Sequence, residues 1–187
     1  MNLPIKKISL MGVFIALGVS LGFALINIPN VELITATIFI SGFLLGVKEG
    51  IVVGLLTEAL YSLLNPFGMA APPLFIAQVL SMGIAGFLGG ILAKQKSRRS
   101  GMAYYLQLAL AGFLTTAIFA LLTTLSFVLL INFSLNKLAG SFIYGLGFYI
   151  VHIVTNTIIF LTLVPTIINV AEKTGWFFYL PVEEKTQ

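Results

Sequence analysis

Seven side chains could do chemistry in a chain that is otherwise mostly apolar. Glu58, Tyr61 and Asn65 lead into a proline-punctuated turn, Gln78 leaves it, and Tyr149, His152 and Asn156 follow far downstream. Residues three, four and seven apart share one face of a helix, so each trio predicts a polar stripe on an apolar helix. A carboxylate inside a membrane span costs several kcal/mol unless it is protonated, paired or hydrated, and by default it marks a functional site. The structural alternative is a Glu58 neutralised inside the bundle by His152 or a tyrosine, with His152 a satisfied core residue. What these groups offer is hydrogen bonding, aromatic stacking and one charge, which suits a binding pocket. Hydrolysis needs a nucleophile–base pair or a metal set. The chain has no cysteine, no aspartate and a single histidine, so no enzyme activity, no metal and no cofactor are expected. No Walker A lysine loop is present, and ATP is not expected to bind.

The elements that must position these residues follow from hydropathy. Of 187 residues, 59% are hydrophobic and 9% charged, with a mean hydropathy of +1.09. Soluble domains carry about 25% charged residues, so the composition predicts an all-α integral membrane protein and no nucleic-acid partner. About six spans fit, at roughly 20 residues each: 8–26, 33–47, 50–64, 73–93, 104–131 and 141–170, in one transmembrane domain over residues 1–187. The second and third are short, and are expected to borrow polar ends as extra turns or to sit where the bilayer thins. The first apolar run follows Lys6-Lys7 as a signal peptide would. Its length and the lack of a small-x-small cleavage site predict a retained helix instead.

Asn27 to Glu32, Lys48-Glu49-Gly50, Asn65 to Pro73, Lys94 to Gly101 and Asn132 to Lys137 are the polar connections. In the central turn, Asn65-Pro66, Gly68 and Pro72-Pro73 forbid continuous helix. Nine of the ten lysines and arginines fall at one set of helix ends, and Lys137 alone falls at the other. The positive-inside rule then places both termini and the basic loop at Lys94, Lys96, Arg98 and Arg99 in the cytoplasm, with lipid headgroups as that loop's expected contact. The turns at 27–32, 65–73 and 132–140 face outward. Glu58, seven residues before Asn65, lies roughly 10 Å below the outer rim.

The first span carries two small-residue seams, Gly12/Ala16/Ser20 and Gly18/Gly22. Such seams let another helix approach closely in lipid. They fit packing inside the bundle, or a docking face for a separate subunit.

With these features assembled, the chain resembles the substrate-binding S components of energy-coupling-factor (ECF) vitamin transporters over nearly its whole length. The resemblance rests on about six spans in under 200 residues, on termini inside, on outer loops after the first and third spans, on the Asn65-Pro-Phe-Gly turn and on the seam at Gly12, Ala16 and Ser20. In the family that seam is alanine-rich; here glycine and serine replace two of its positions. The resemblance implies a bundle of six transmembrane helices in a prokaryotic cell membrane that binds a vitamin or vitamin precursor near the outer face. It also implies uptake powered by a separate coupling subunit and two ATPases, with the seam docking the coupling subunit. Carried onto this chain, the binding regions are the first outer loop, bringing in Asn30 and Glu32, the stretch from Tyr61 to Gln78, and the stripe from Tyr149 to Asn156. The competing expectation is a stand-alone secondary carrier coupled to protons through Glu58 and His152.

Overall fold

A computed structural model describes residues 3–95 and 101–175. The charges Lys96, Arg98 and Arg99, and the tail residues Trp176, Tyr179 and Lys185, lie outside the described residues. Among those described, six helices follow one another: α1 (Leu3–Leu25), α2 (Ile34–Leu45), α3 (Val47–Leu63), α4 (Pro72–Gln95), α5 (Met102–Leu130) and α6 (Leu135–Lys173). Four of them, α1, α4, α5 and α6, are long and apolar enough to cross a membrane.

The shortest helix is the centre of the molecule. The α2 sequence ITATIFISGFLL has no polar face wider than a hydroxyl, and a helix apolar all round is stable only when surrounded. All twelve of its residues are buried, with α1, α3, α4 and α6 packed around it. Phe39 and Phe43 anchor it against Leu108 of α5 and Phe160, Val164 and Ile168 of α6, while Ile38 meets Val53 and Met82 on the other side. Twelve residues span only about 18 Å, well short of a hydrocarbon core of about 30 Å. Of the two short spans expected to borrow polar ends, α2 takes up none, running only from Ile34 to Leu45 between Leu33 and Gly46, whereas α3 takes in Lys48 and Glu49.

The α2–α3 connection also differs from the sequence expectation. Lys48, Glu49 and Gly50 are not a turn but the first turn of α3, and Gly46 alone reverses the chain, at a φ of 119° that other residues rarely adopt. Lys7 of α1 closes on Glu49 at 3.0 Å, joining the start of α1 to the start of α3.

Close approach of α2, α3 and α4 is made by glycine. A methyl group on Gly42, Gly50 or Gly86 would collide with backbone of another of the three, chiefly the carbonyls of Gly86 and Gly50. In lipid, where apolar side chains gain nothing by leaving the tails, such backbone contact is what holds helices together.

The two seams on α1 part company. A Cβ on Gly18 would lie 2.7 Å from Thr57 Cγ2, and one on Gly22 would lie 2.6 Å from Ile34 Cδ1. That seam packs inward. Gly12 meets nothing within 4 Å, and Ala16 and Ser20 are exposed beside it.

The last helix is longer than the 141–170 span read from hydropathy. Ser134 caps its N-terminus by accepting from Lys137 N, and the Lys137 ammonium donates to the carbonyls of Ile131 and Asn132, so α6 starts at Leu135 and runs 39 residues through Pro165. Its second half lies along α2. Its first half pairs with the end of α5 and leaves Ile143, Tyr144 and Phe148 on the surface.

Candidate functional site

The site is built on the loop at 26–33, which passes over the start of α2. Asn30 holds this loop in a turn with a φ of 58°, a conformation asparagine tolerates better than most residues. The Asn30 carbonyl lies 3.1 Å from the Thr155 hydroxyl of α6. Two residues on, Glu32 turns inward. Its Oε2 accepts the backbone N–H of Thr35 at 2.8 Å, capping an α2 N-terminus that has no other side-chain cap. Its Oε1 accepts Asn156 Nδ2 at 2.8 Å and lies 3.4 Å from His152 Nε2.

Asn156 is fully buried and its orientation is dictated by its neighbours. A carboxylate only accepts, so the amide must turn its NH2 toward Glu32. The same nitrogen donates to Thr116 Oγ1 at 3.0 Å, and Thr116 in turn donates to the Gly112 carbonyl at 2.9 Å. Asn156 of α6 thus donates in both directions, to the loop and to α5, at the cost of leaving its Oδ1 without a partner among the described residues. His152 is held on its other side by Phe119, edge to face with centroids 5.6 Å apart.

Burial alone raises the Glu32 pKa. The His152 hydrogen bond and charge, with the Thr35 hydroxyl and backbone N–H, outweigh it and hold the carboxyl below its ordinary value of 4.5. A depressed carboxyl stabilises the fold in full above its unfolded value and loses that contribution as pH falls through its folded value. Docking of the 26–33 loop is therefore expected to hold at neutral pH and to weaken below about pH 4.5. In a thermal-unfolding series across that range, the wild type falls more steeply than Glu32→Gln.

Beneath the loop is a cavity of about 190 Å³. Asn30 and Glu32 from the loop, Glu58 and Tyr61 from α3, Gln78 from α4 and His152 from α6 all line it, so four separate elements bring six of the nine sequence-derived site residues to one space. Asn156 stands directly behind, holding Glu32. Two residues lie elsewhere. Asn65 closes the turn after α3, accepting Phe67 N at 2.9 Å on its side chain and Gly68 N at 3.0 Å on its carbonyl. Tyr149 bonds Thr124 at 2.6 Å and faces a separate groove between α5 and α6. The space that Gly145 leaves is filled by the Tyr149 ring itself.

The structural alternative for Glu58 is also revised. His152 pairs with Glu32, and the Glu58 carboxylate, 3% exposed, makes no hydrogen bond among the described residues. Several wall residues escaped the sequence reading, Gly22, Met82 and Phe119 among them. Phe119 and Met82 carry no distinguishing signal among many apolar residues at that depth, and Gly22 read only as a packing position. Its bare backbone leaves room for Tyr61 and Ile34 to form the wall.

The arrangement offers two carboxylates, an imidazole, a phenol and an amide to something small. Among the described residues no three His, Asp or Glu side chains gather as metal ligands. A family model described as ECF transporter, substrate-specific component, matches residues 6–169. No curated protein and no solved structure matches the chain.

Proposed function

This chain belongs to the substrate-specific components of ECF transporters, and we propose that it captures a vitamin or vitamin precursor at the outer face for uptake driven by a separate coupling subunit and ATPases. As a member of that family it is a multi-pass membrane protein that binds its substrate rather than transforming it. The observation that carries the finer reading is the convergence of Asn30, Glu32, Glu58, Tyr61, Gln78 and His152 on one cavity under one loop. Antiparallel packing brings Lys7, Lys48, Lys94 and Lys173 to the opposite end of the bundle, which supports a cytoplasmic placement for that end in a prokaryotic cell membrane and an outward one for the cavity. Family membership favours this reading over a stand-alone proton-coupled carrier.

Native mass spectrometry of gently purified protein tests it. A co-purified molecule of vitamin size supports the reading. Loss of that molecule in Glu32→Ala ties it to the cavity, and retention there counts against this site.

The open seam at Gly12, Ala16 and Ser20 is the surface we assign to the coupling subunit, since Gly18 and Gly22 are already used inside the bundle. Ala16→Trp fills that seam without touching the cavity. Co-purification with the coupling subunit is expected to fall at least about tenfold, or ~1.4 kcal/mol, while ligand-induced thermal stabilisation stays at the wild-type level. Equal loss in both assays counts against the assignment.

A further inference from the structure

An ionised Glu58 has no counter-charge in the cavity among the described residues. Among the described residues no lysine or arginine lines it. Its one basic side chain, His152, faces Glu32, so any charge on the imidazole is answered there. Glu58 is left over: buried, on the cavity wall, and with no donor among the described residues. Gln78 Oε1, buried in the same wall, has no donor either. Unmet acceptors at membrane depth are costly, and a bound donor or positive charge removes that cost. The remaining wall includes the aromatic rings of Tyr61 and Phe119, a residue type that attracts cations, and the thioether of Met82.

Size narrows the class. At about 190 Å³ the cavity is smaller than the usual ligand pocket of roughly 300–1,000 Å³. That favours a small molecule of the order of one ring. We propose that the substrate is a single-ring organic cation, an amine, amidine or protonated aza-heterocycle, with its positive N–H group on Glu58 and its ring against the aromatic wall of Tyr61 and Phe119. This class rests on the substrate-capture reading above. An inorganic cation is disfavoured because Glu32, Glu58 and His152, although all on the cavity wall, are not gathered as a set of metal ligands among the described residues.

The test reads chemical class without the ligand's identity. A small-molecule extract of yeast is split into cation-exchange-retained, anion-exchange-retained and unretained pools, and each is titrated against the purified full chain by thermal shift. Stabilisation is expected from the cation-retained pool and is expected to vanish when that pool is ashed, which destroys organic molecules and keeps metal ions. Glu58→Gln is expected to need at least tenfold more of the pool for the same shift. Stabilisation by the anion-retained or unretained pool, or by the ashed pool, overturns the class and leaves substrate capture standing. Stabilisation by no pool overturns both. If Glu58→Gln does not fold, the wild-type response to the pools still decides the class.

Discussion

Asn156→Leu is expected to abolish ligand-induced stabilisation and to cost about 3 kcal/mol of folding stability. Leucine shares the branched shape of asparagine but is larger, so no void forms, and the effect combines a stranded charge with some overpacking at a fully buried position. The Glu32 carboxylate loses its 2.8 Å donor, and the link through Thr116 to α5 is cut. Leaving a buried charged group without one of its donors typically costs about 1–3 kcal/mol or more, and overpacking adds to it. Glu32 keeps Thr35 N and its contact with His152, which limits the sum to about 3 kcal/mol. Neutralising the stranded group should restore part of the loss. The double variant Glu32→Gln/Asn156→Leu is expected to unfold at a higher temperature than Asn156→Leu alone, with a coupling of about 1–2 kcal/mol in the double-mutant cycle. Additive effects would mean that the two side chains do not depend on each other.

Gly86→Val is expected to prevent folding altogether, read as loss of a monodisperse peak after extraction in mild detergent. Overpacking a core usually costs about 1–3 kcal/mol because side chains can shift. At Gly86 the colliding atoms are the backbone of Gly50, which cannot shift without moving α3 as a whole. Two controls separate this from a general intolerance of larger residues. Gly83→Ala is expected to stay within about 1 kcal/mol of wild type, because its nearest neighbour is the flexible tip of Leu55 at 3.0 Å. Gly12→Val, with nothing within 4 Å, is expected to fold normally. Folding of Gly86→Val would show that the three helices can separate without loss of the whole.

Much of the helix plan was legible because each device is local. Apolar runs mark the spans, Asn65-Pro66 and Pro72-Pro73 mark the central turn, and small residues every fourth position mark the seams. The uniformly apolar character of α2 was visible too, although its placement at the centre, where it need not span, was not. What failed to read out is long-range partnership. Glu32 meets residues 120 and 124 positions away, and nothing in the spacing of either partner indicates that it, rather than Glu58, takes His152. Helical spacing put Tyr149 on the same stripe as His152 and Asn156. A stripe has length as well as direction, though, and one turn along α6 the neighbours change from the cavity loop to Thr124. Hydropathy likewise missed the first turns of α6, since a serine cap and a lysine bonding carbonyls extend a helix without adding apolar character.

One consequence follows from the burial of α2. The helix begins at the cavity and fills the axis of the bundle below it with Ile38, Phe39, Phe43 and the glycine-locked contacts to α3 and α4. The cavity therefore lies between the 26–33 loop and a floor of close-packed helix. For the substrate capture proposed above, a path straight through the bundle would have to split the most tightly joined part of the fold. Delivery to the far side of the membrane is then expected to carry the cavity across with the bundle moving as one piece.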